Sequence, residues 1–314
     1  MNYILGSGIT GLIASWYLNM KMIGEDYGQC EKRYGPRVLK KTEAVDKFLS
    51  SVGINIKEKE YKAGYFYNKE VNKDCTEVMR FSYISKTRGK EWMQFISSGM
   101  NDGNNITVGY PLDYIFTILE NTGWLRAKTV KMKIDKIDFL NRIIHGENLC
   151  VNLIEELGFD VLVNTLPKGV FNSLCSGVKR ERLYTDEGNI YICVVSSNDF
   201  NFMEGYEWMC FPEKSIPFYR ITRMEPTQTI YSVESMVPIH NIEALLSCHE
   251  ITKDIIYGGK ITFKEDKEYG INDDKLFHIG RYAKEDNSSR AESLIKMFED
   301  MKERYGECLL SMLQ

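Results

Sequence analysis

The sequence predicts an α/β protein with one parallel sheet, assembled from discontinuous stretches of chain, and a second, α+β unit built on a mixed sheet. Three observations carry this. A short apolar strand, Asn2-Tyr3-Ile4-Leu5, runs straight into Gly6-Ser7-Gly8-Ile9-Thr10-Gly11 and then into a helix of small and apolar residues. A continuous apolar run ending at Val163 is stopped by Asn164-Thr165-Leu166-Pro167, the pattern of a parallel strand buried on both faces. Near the C-terminus, Leu276-Phe277-His278-Ile279 meets Gly280-Arg281 and, after a polar turn, a long amphipathic helix.

The first stretch has the order that a dinucleotide-binding, Rossmann-like turn requires. Gly6 lets the chain leave the strand sharply, Gly8 presents no side chain to an approaching pyrophosphate, and Gly11 lets the helix lie close to the sheet. Ser7, Ile9 and Thr10 complete the loop and first turn, where free amides and the helix dipole favour an anion. A second apolar piece, Met22-Ile23-Gly24, is followed by Glu25-Asp26, about 20 residues on, where a ribose-binding carboxylate is expected.

Further elements follow in order. Arg37, beside a Gly-Pro turn near this site, reads equally as a phosphate contact or as a surface ion pair. Thr42 is a plausible N-cap for a helix in which Ala44, Val45, Phe48, Leu49 and Val52 form a core stripe ended by Gly53. Residues 61–110, rich in aromatics, read as short strands and loops that could wall a pocket, and Pro111 opens a helix through Leu119. Lys128 to Ile144 alternates as a strand or hairpin, and Ile190–Ser196 reads as another strand. Phe211 to Pro217 is a turn into a strand carrying Tyr219 and Arg220, which pairs with Thr229–Val233, ending at Glu234.

Composition narrows the classes. Forty Lys and Arg against 44 Asp and Glu give a net charge of −4 over 314 residues, without the clustered basic stripe of a nucleic-acid binder. Lys86-Thr87-Arg88-Gly89-Lys90 reads as a solvated loop, with an anion contact as the functional alternative. The eight cysteines are scattered, as expected of reduced core thiols in a cytoplasmic protein, and the four histidines suggest no metal site. With a strand beginning at residue 2, no cleavable leader is expected, and no apolar run approaches the roughly 20 residues of a membrane span.

Taken together, these stretches resemble the FAD-dependent amine-oxidase-like superfamily, closest to its UDP-galactopyranose-mutase-like and protoporphyrinogen-oxidase-like branch. The motifs are Gly6-Ser7-Gly8-Ile9-Thr10-Gly11 with Glu25, Asp160 to Pro167, Ile216-Pro217-Phe218-Tyr219-Arg220-Ile221-Thr222, Glu234, and Phe277-His278-Ile279-Gly280-Arg281. The resemblance implies a Rossmann-like FAD-binding domain (residues 1–70, 128–175 and 256–314) and a mixed-sheet substrate-binding domain (71–127 and 176–255). FAD would be held by Gly6 to Gly11, Glu25, Asp26, Arg37, Thr165, Pro167, Gly280 and Arg281, and a helix start at Asp286 and Ser288 would tune the flavin. Arg220, Tyr219 and Glu234 are the implied catalytic set, acting on a small-molecule or nucleotide-linked substrate. Trp208 is a weaker pocket-wall candidate, since an ordinary core role suits it better. The expected activity is hydride abstraction from a carbon bearing nitrogen or oxygen. The alternatives are a redox-neutral mutase acting on a sugar nucleotide and a non-catalytic FAD-binding interaction module. Residues 70–130 are short for that branch's helical uridine-binding domain, so the cofactor carries over further than the sugar nucleotide.

Overall fold

A computed structural model describes residues 1–25, 38–86, 106–176, 186–196, 200–216, 218–224, 230–235, 238, 254–265, 273, 275–280 and 291–305. The first strand, β1 (Asn2–Leu5), buries Tyr3, Ile4 and Leu5, and α1 (Ile9–Leu18) follows after three residues. Gly11, Leu12, Ile13, Ala14, Ser15 and Leu18 are all buried, so α1 is a core helix rather than a surface one. Asn19 ends it in the left-handed conformation (φ 52°), and the Ser15 hydroxyl donates to the Met20 carbonyl (2.6 Å), turning the chain into β2 (Lys21–Gly24).

The next strands are β3 (Val38–Lys40), β4 (Lys59–Tyr67), β5 (Glu70–Asn72), β6 (Ile106–Pro111), β7 (Thr129–Asp138), β8 (Ile143–Asn148), β9 (Leu153–Gly158) and β10 (Val161–Asn164). After them come β11 (Cys175–Ser176), β12 (Asp186–Ser196), β13 (Trp208–Cys210), β14 (Phe218–Arg223), β15 (Ile230–Ser235), β16 (Asp254–Glu265) and β17 (Leu276–His278). Among the described residues they form two sheets. One has the order β17-β10-β1-β2-β7-β8-β9, parallel from β17 through β7 and antiparallel beyond, with β11 added to β7. The other is mixed, in the order β16-β12-β15-β14-β13-β4-β6-β3, with β5 added to β4.

Helices cover the parallel sheet on both faces. On one lie α1, α2 (Glu43–Ser51), α4 (Leu112–Asn121), α5 (Trp124–Lys128) and α7 (Ala291–Tyr305), around Ile4, Leu12, Phe48, Phe116 and Phe298. The other face packs Tyr3, Leu5, Leu162 and Leu276 against Phe171 of α6 (Lys168–Leu174). In α2 the Thr42 hydroxyl accepts from the Val45 amide (3.2 Å), Glu43 and Asp46 complement the dipole of the first turn, and Val45, Phe48 and Leu49 are buried as the stripe predicts. Tyr17 of α1 stacks on Phe298 (centroids 4.9 Å) and donates to Glu299 (2.6 Å), fixing α7 across α1.

Sheet membership divides the chain differently from the expected boundaries. β3, β4 and β16 pair in the mixed sheet, although 1–70 and 256–314 were assigned to the nucleotide domain. Conversely α4 and α5, expected in the substrate domain, pack in the α1 core. The cause is pairing: β3 and β4 find antiparallel partners in β6, and β4 runs parallel to β13, whereas α4 and α5 offer apolar faces to α1. The aromatic 61–110 region also contains a helix, α3 (Glu77–Lys86), which buries only Met79 and Tyr83 and leaves Val78 and Phe81 exposed. A stripe that narrow is poorly visible in sequence.

Of the described cysteines, Cys175, Cys193 and Cys210 are buried, as expected of core residues, but Cys150 is exposed on the turn between β8 and β9. No helix among the described residues is long and apolar enough to cross a membrane. Phe298, fully buried at the α1–α7 contact, tests this packing: Phe298→Ala should lower stability by about 3–5 kcal/mol in urea unfolding.

Candidate nucleotide and substrate sites

The turn between β1 and α1 is built on close approaches. Gly6 has φ +104°, and its amide donates to the Ile23 carbonyl (2.8 Å). A Cβ there would lie 2.5 Å from Thr165 Oγ1, which donates to the Leu5 carbonyl (2.7 Å). At Gly11 a Cβ would lie 2.0 Å from the Gly6 carbonyl oxygen, so α1 rests directly on the turn. Ser7 is buried over Gly24, whose Cβ would meet Ser7 Oγ at 2.2 Å. Gly280 (φ +89°) is pressed on Thr10, where a Cβ would come within 2.5 Å of Cγ2. The far end of the chain thus touches the first turn of the first helix.

Gly8 differs from these. Its backbone is extended (φ −72°, ψ −175°), a conformation open to any residue, and nothing lies within 4 Å of a Cβ placed there. The absent side chain leaves space above the N-terminus of α1 instead of relieving strain. Its N-cap residue, Gly8, has no side chain to cap that terminus. The first amides of a helix have no intrahelical acceptor, and they lie at the positive end of its dipole. Glu25 follows β2 directly and is exposed, beside the turn. Open space, uncapped amides and an exposed carboxylate together fit the phosphates and ribose of a dinucleotide.

Thr165 and Gly280 therefore shape the turn by packing, and Pro167 is the exposed N-cap residue of α6. Ile9 and Thr10 are half-buried in the first turn of α1. Asp26, Arg37, Arg281, Asp286 and Ser288 lie outside the described residues. Two residues that the motif reading left unassigned, Asn164 and His278, meet at the ends of β10 and β17, with Asn164 Nδ2 3.0 Å from His278 Nδ1. Their only sequence signal was position, as the last residues of two apolar runs.

A second constellation sits on the mixed sheet. The β14–β15 register shifts between Phe218 and Arg220, so that Tyr219 is the extra residue of a bulge. Neighbouring strand residues ordinarily face opposite ways, but here both reach one carboxylate. Arg220 donates to Glu234 from Nε (3.2 Å to Oε1) and Nη2 (3.0 Å to Oε1 and 2.7 Å to Oε2), and the Tyr219 hydroxyl donates to Oε2 (2.6 Å). Glu234 is 2% and Tyr219 0% exposed, whereas the Arg220 side chain keeps 20%, so the guanidinium is the accessible member. Burial acts to lower the Arg220 pKa, but the charge and hydrogen bonds of Glu234 together with Tyr219 and Tyr83 outweigh it, and the pKa is raised. Burial, reinforced by Glu234, holds the Tyr219 phenol well above its ordinary range. The Arg220–Glu234 pair is charged and neutral overall.

Helix α3 closes over this cluster. Tyr83 is fully buried edge-on to Tyr219 (6.2 Å), and burial raises its pKa well above the ordinary value. Burial likewise pushes the Cys210 thiol up to about 12, so it stays protonated. Ser82 donates to the Pro212 carbonyl (2.8 Å), and Lys86 Nζ donates to the carbonyls of Phe211 (2.6 Å) and Phe218 (2.8 Å), fastening the turn that leads to Arg220. Burial lowers Lys86 to about 7, against an opposing pull from Glu213. Trp208 belongs to the core of this face, stacked on Tyr61 (6.4 Å), which is its ordinary core role.

The mixed sheet joins the parallel unit at both ends. Leu39 of β3 and Tyr110 of β6 lie in the α1 core, and β16 contacts α6. A groove of about 560 Å³ between α2 and α7 contains none of the expected site residues and is lined largely by charged chains, among them Glu43, Lys47, Lys296 and Glu303. No cluster of three or more His, Cys, Asp or Glu suited to a metal occurs among the described residues.

A parallel sheet with a glycine turn at β1–α1, joined to a mixed sheet, is a fold that the chain shares with solved structures that include a flavoprotein/dehydrogenase from Cytophaga hutchinsonii and a flavin-dependent monooxygenase. The chain superposes on reduced UDP-galactopyranose mutase with a TM-score of 0.60 at 12% identity, over 97% of this chain and 95% of that one. A fatty acid isomerase from P. acnes that produces CLA gives 0.57 at 11% identity, over 97% and 98%. The flavin-dependent monooxygenase PieE, in complex with FAD and substrate, gives 0.52 at 10% identity, over 89% of this chain and 52% of that one. No protein-family model matches the chain. No curated protein matches its sequence. At these identities the likeness is one of fold.

Two measurements probe the geometry. Gly11→Ala should destabilise the protein by more than about 2 kcal/mol because the clash is with backbone, while Gly8→Ala should change stability by less than about 0.5 kcal/mol, both read by urea unfolding. Lys86 binds its proton more weakly folded (about 7) than unfolded (10.5), so the unfolded chain holds more protons between these values. Stability should gain from this group as pH rises from about 7 to about 10.5 and lose that gain on return, and Lys86→Met should flatten the profile.

Proposed function

We propose that the protein is an FAD-dependent enzyme. The observation that carries this is the open space at Gly8 over an uncapped α1 N-terminus, with Glu25 at the end of the adjacent strand. In this reading Gly6 to Gly11 hold the pyrophosphate, Glu25 with Asp26 binds the ribose, and Gly280 and Arg281 bring the C-terminal stretch to the cofactor. Asp286 and Ser288 would start the helix that faces the flavin, and Arg37 would reach a phosphate. The parallel sheet forms the cofactor domain and the mixed sheet the substrate domain. When bound, FAD supplies a two-electron centre.

Arg220 is the group offered to substrate. Its Nε and Nη2 edge is held by Glu234, which leaves Nη1 without a partner among the described residues and suited to an anionic substituent. Tyr219 and Glu234 act through it by fixing the plane of the guanidinium. The reaction that suits this arrangement is hydride abstraction from a carbon bearing nitrogen or oxygen, on a small or nucleotide-linked substrate in the cytoplasm. A second reading, redox-neutral chemistry on a sugar nucleotide, is favoured by the superposition on UDP-galactopyranose mutase over nearly the whole of both chains.

Purified protein incubated with FAD and desalted should retain a flavin absorption band, and Gly8→Val should remove it without unfolding the chain. Protein that stays colourless would sink both readings. Anaerobic bleaching of the flavin by an amine or alcohol supports the first reading; turnover of UDP-galactopyranose only after dithionite reduction supports the second. Arg220→Ala should lose either activity while keeping the flavin.

A further inference from the structure

The ends of β10 and β17 carry two walls of the glycine turn, Thr165 against Gly6 and Gly280 against Thr10. Just before those walls, Asn164 and His278 stand opposite each other in register. Leu162 and Leu276 share the α6-side core while Val163 and Phe277 lie in the α1 core, so strand alternation puts Asn164 and His278 together on the α6 face. The orientation of the Asn164 amide is settled by Leu166: Oδ1 accepts from the Leu166 amide (3.0 Å) and Nδ2 donates to the Leu166 carbonyl (3.3 Å). Nδ2 is therefore also a donor toward His278 Nδ1 at 3.0 Å, which leaves Nδ1 the acceptor and the ring proton on Nε2. Phe171 of α6 closes over the pair, perpendicular to the imidazole at 5.3 Å.

We propose that Asn164 and His278 are a positioning pair for the nucleotide cradle, closed only while the imidazole is neutral. A proton on Nδ1 would set one N–H against another. Asn164 cannot answer by turning its oxygen, because that would break both contacts with Leu166. Among the described residues of the elements packed here, β10 carries no titratable residue, α6 carries Lys168, Tyr3 of β1 shares the α6-side core, and β16, which contacts α6, carries Asp254, Lys260, Lys264 and Glu265. Acid should therefore loosen the joint between the two strand ends that present Thr165 and Gly280 to the turn. The effect on cofactor rests on the FAD reading, whereas the joint itself is open to test in flavin-free protein.

The experiment measures thermal unfolding of the flavin-free chain, and FAD affinity of the full chain, from about pH 7.5 to about pH 5, across the ordinary imidazole range. Wild type should lose thermal stability over this interval and bind FAD about ten-fold more weakly at the acid end. His278→Asn, which can place an oxygen where Nδ1 lies but does not titrate, should be less steep than wild type in both. Asn164→Asp, whose carboxylate accepts from a protonated ring, should reverse the trend, and His278→Leu should behave at every pH like acid wild type. A His278→Asn profile that parallels wild type overturns the proposal, whether or not Asn164→Asp folds. If His278→Asn flattens the stability profile but no variant binds FAD, the joint stands and the cofactor reading falls. If FAD binds with the same pH dependence in wild type and His278→Asn, the reverse holds.

Discussion

The contact between Gly11 and the Gly6 carbonyl is the constraint on which the rest of the molecule depends. A helix that comes this close to the turn below it cannot carry even a methyl group at the crossing point. Once α1 is seated, its amide-bearing end is fixed relative to β1 and β2. The neighbouring contacts share the same character: Ser7 over Gly24, Thr165 against Gly6 and Thr10 against Gly280 each need a missing Cβ. Close packing of this kind holds the turn rigidly, and rigidity is what fixed amides need in order to recognise a phosphate without reorganising. Among the glycines of this turn and its neighbours, Gly8 differs in that its missing side chain leaves space.

The mixed sheet answers a different problem, that of keeping a guanidinium accessible in an otherwise apolar setting. A buried ion pair seldom stabilises a fold by itself, although removing one partner costs about 3–5 kcal/mol because the other charge is stranded. The bulge at Tyr219 makes the pair workable, since it brings a phenol and a guanidinium to the same carboxylate and satisfies Glu234 from three donor groups. Tyr83, Ser82 and Lys86 then hold the bulged segment from above. Orientation of Arg220 is thus over-determined, held by Glu234 along its Nε and Nη2 edge.

Much of the parallel unit was legible in sequence because its signals are local. The apolar run of β1, the glycine spacing, the Thr42 cap and the stripes of α2, α4 and α7 each reflect a preference expressed within a dozen residues. The allocation of strands to sheets was less legible. β3 and β4 follow the nucleotide turn in sequence and were grouped with it, yet their partners are β6 and β13, the latter some 150 residues farther along the chain. Helix α3 is illegible in sequence because two buried residues make too faint a stripe, and β16 because its pairing with β12 lies in no local pattern.

By itself, the sequence determined that strand, turn and helix would form at residues 2–18, that Gly8 would stand at the helix entrance, and that Arg220 and Glu234 would fall on neighbouring strands. These follow from steric freedom at glycine and from alternation along a strand, which need no distant partner. Tertiary structure alone decided that Gly280 would rest on Thr10, that a bulge would turn Tyr219 toward Glu234, and that Asn164 would fix the tautomer of His278. Each of those depends on which strands become neighbours and in what register, and register is set by the packing of whole faces rather than by any short segment.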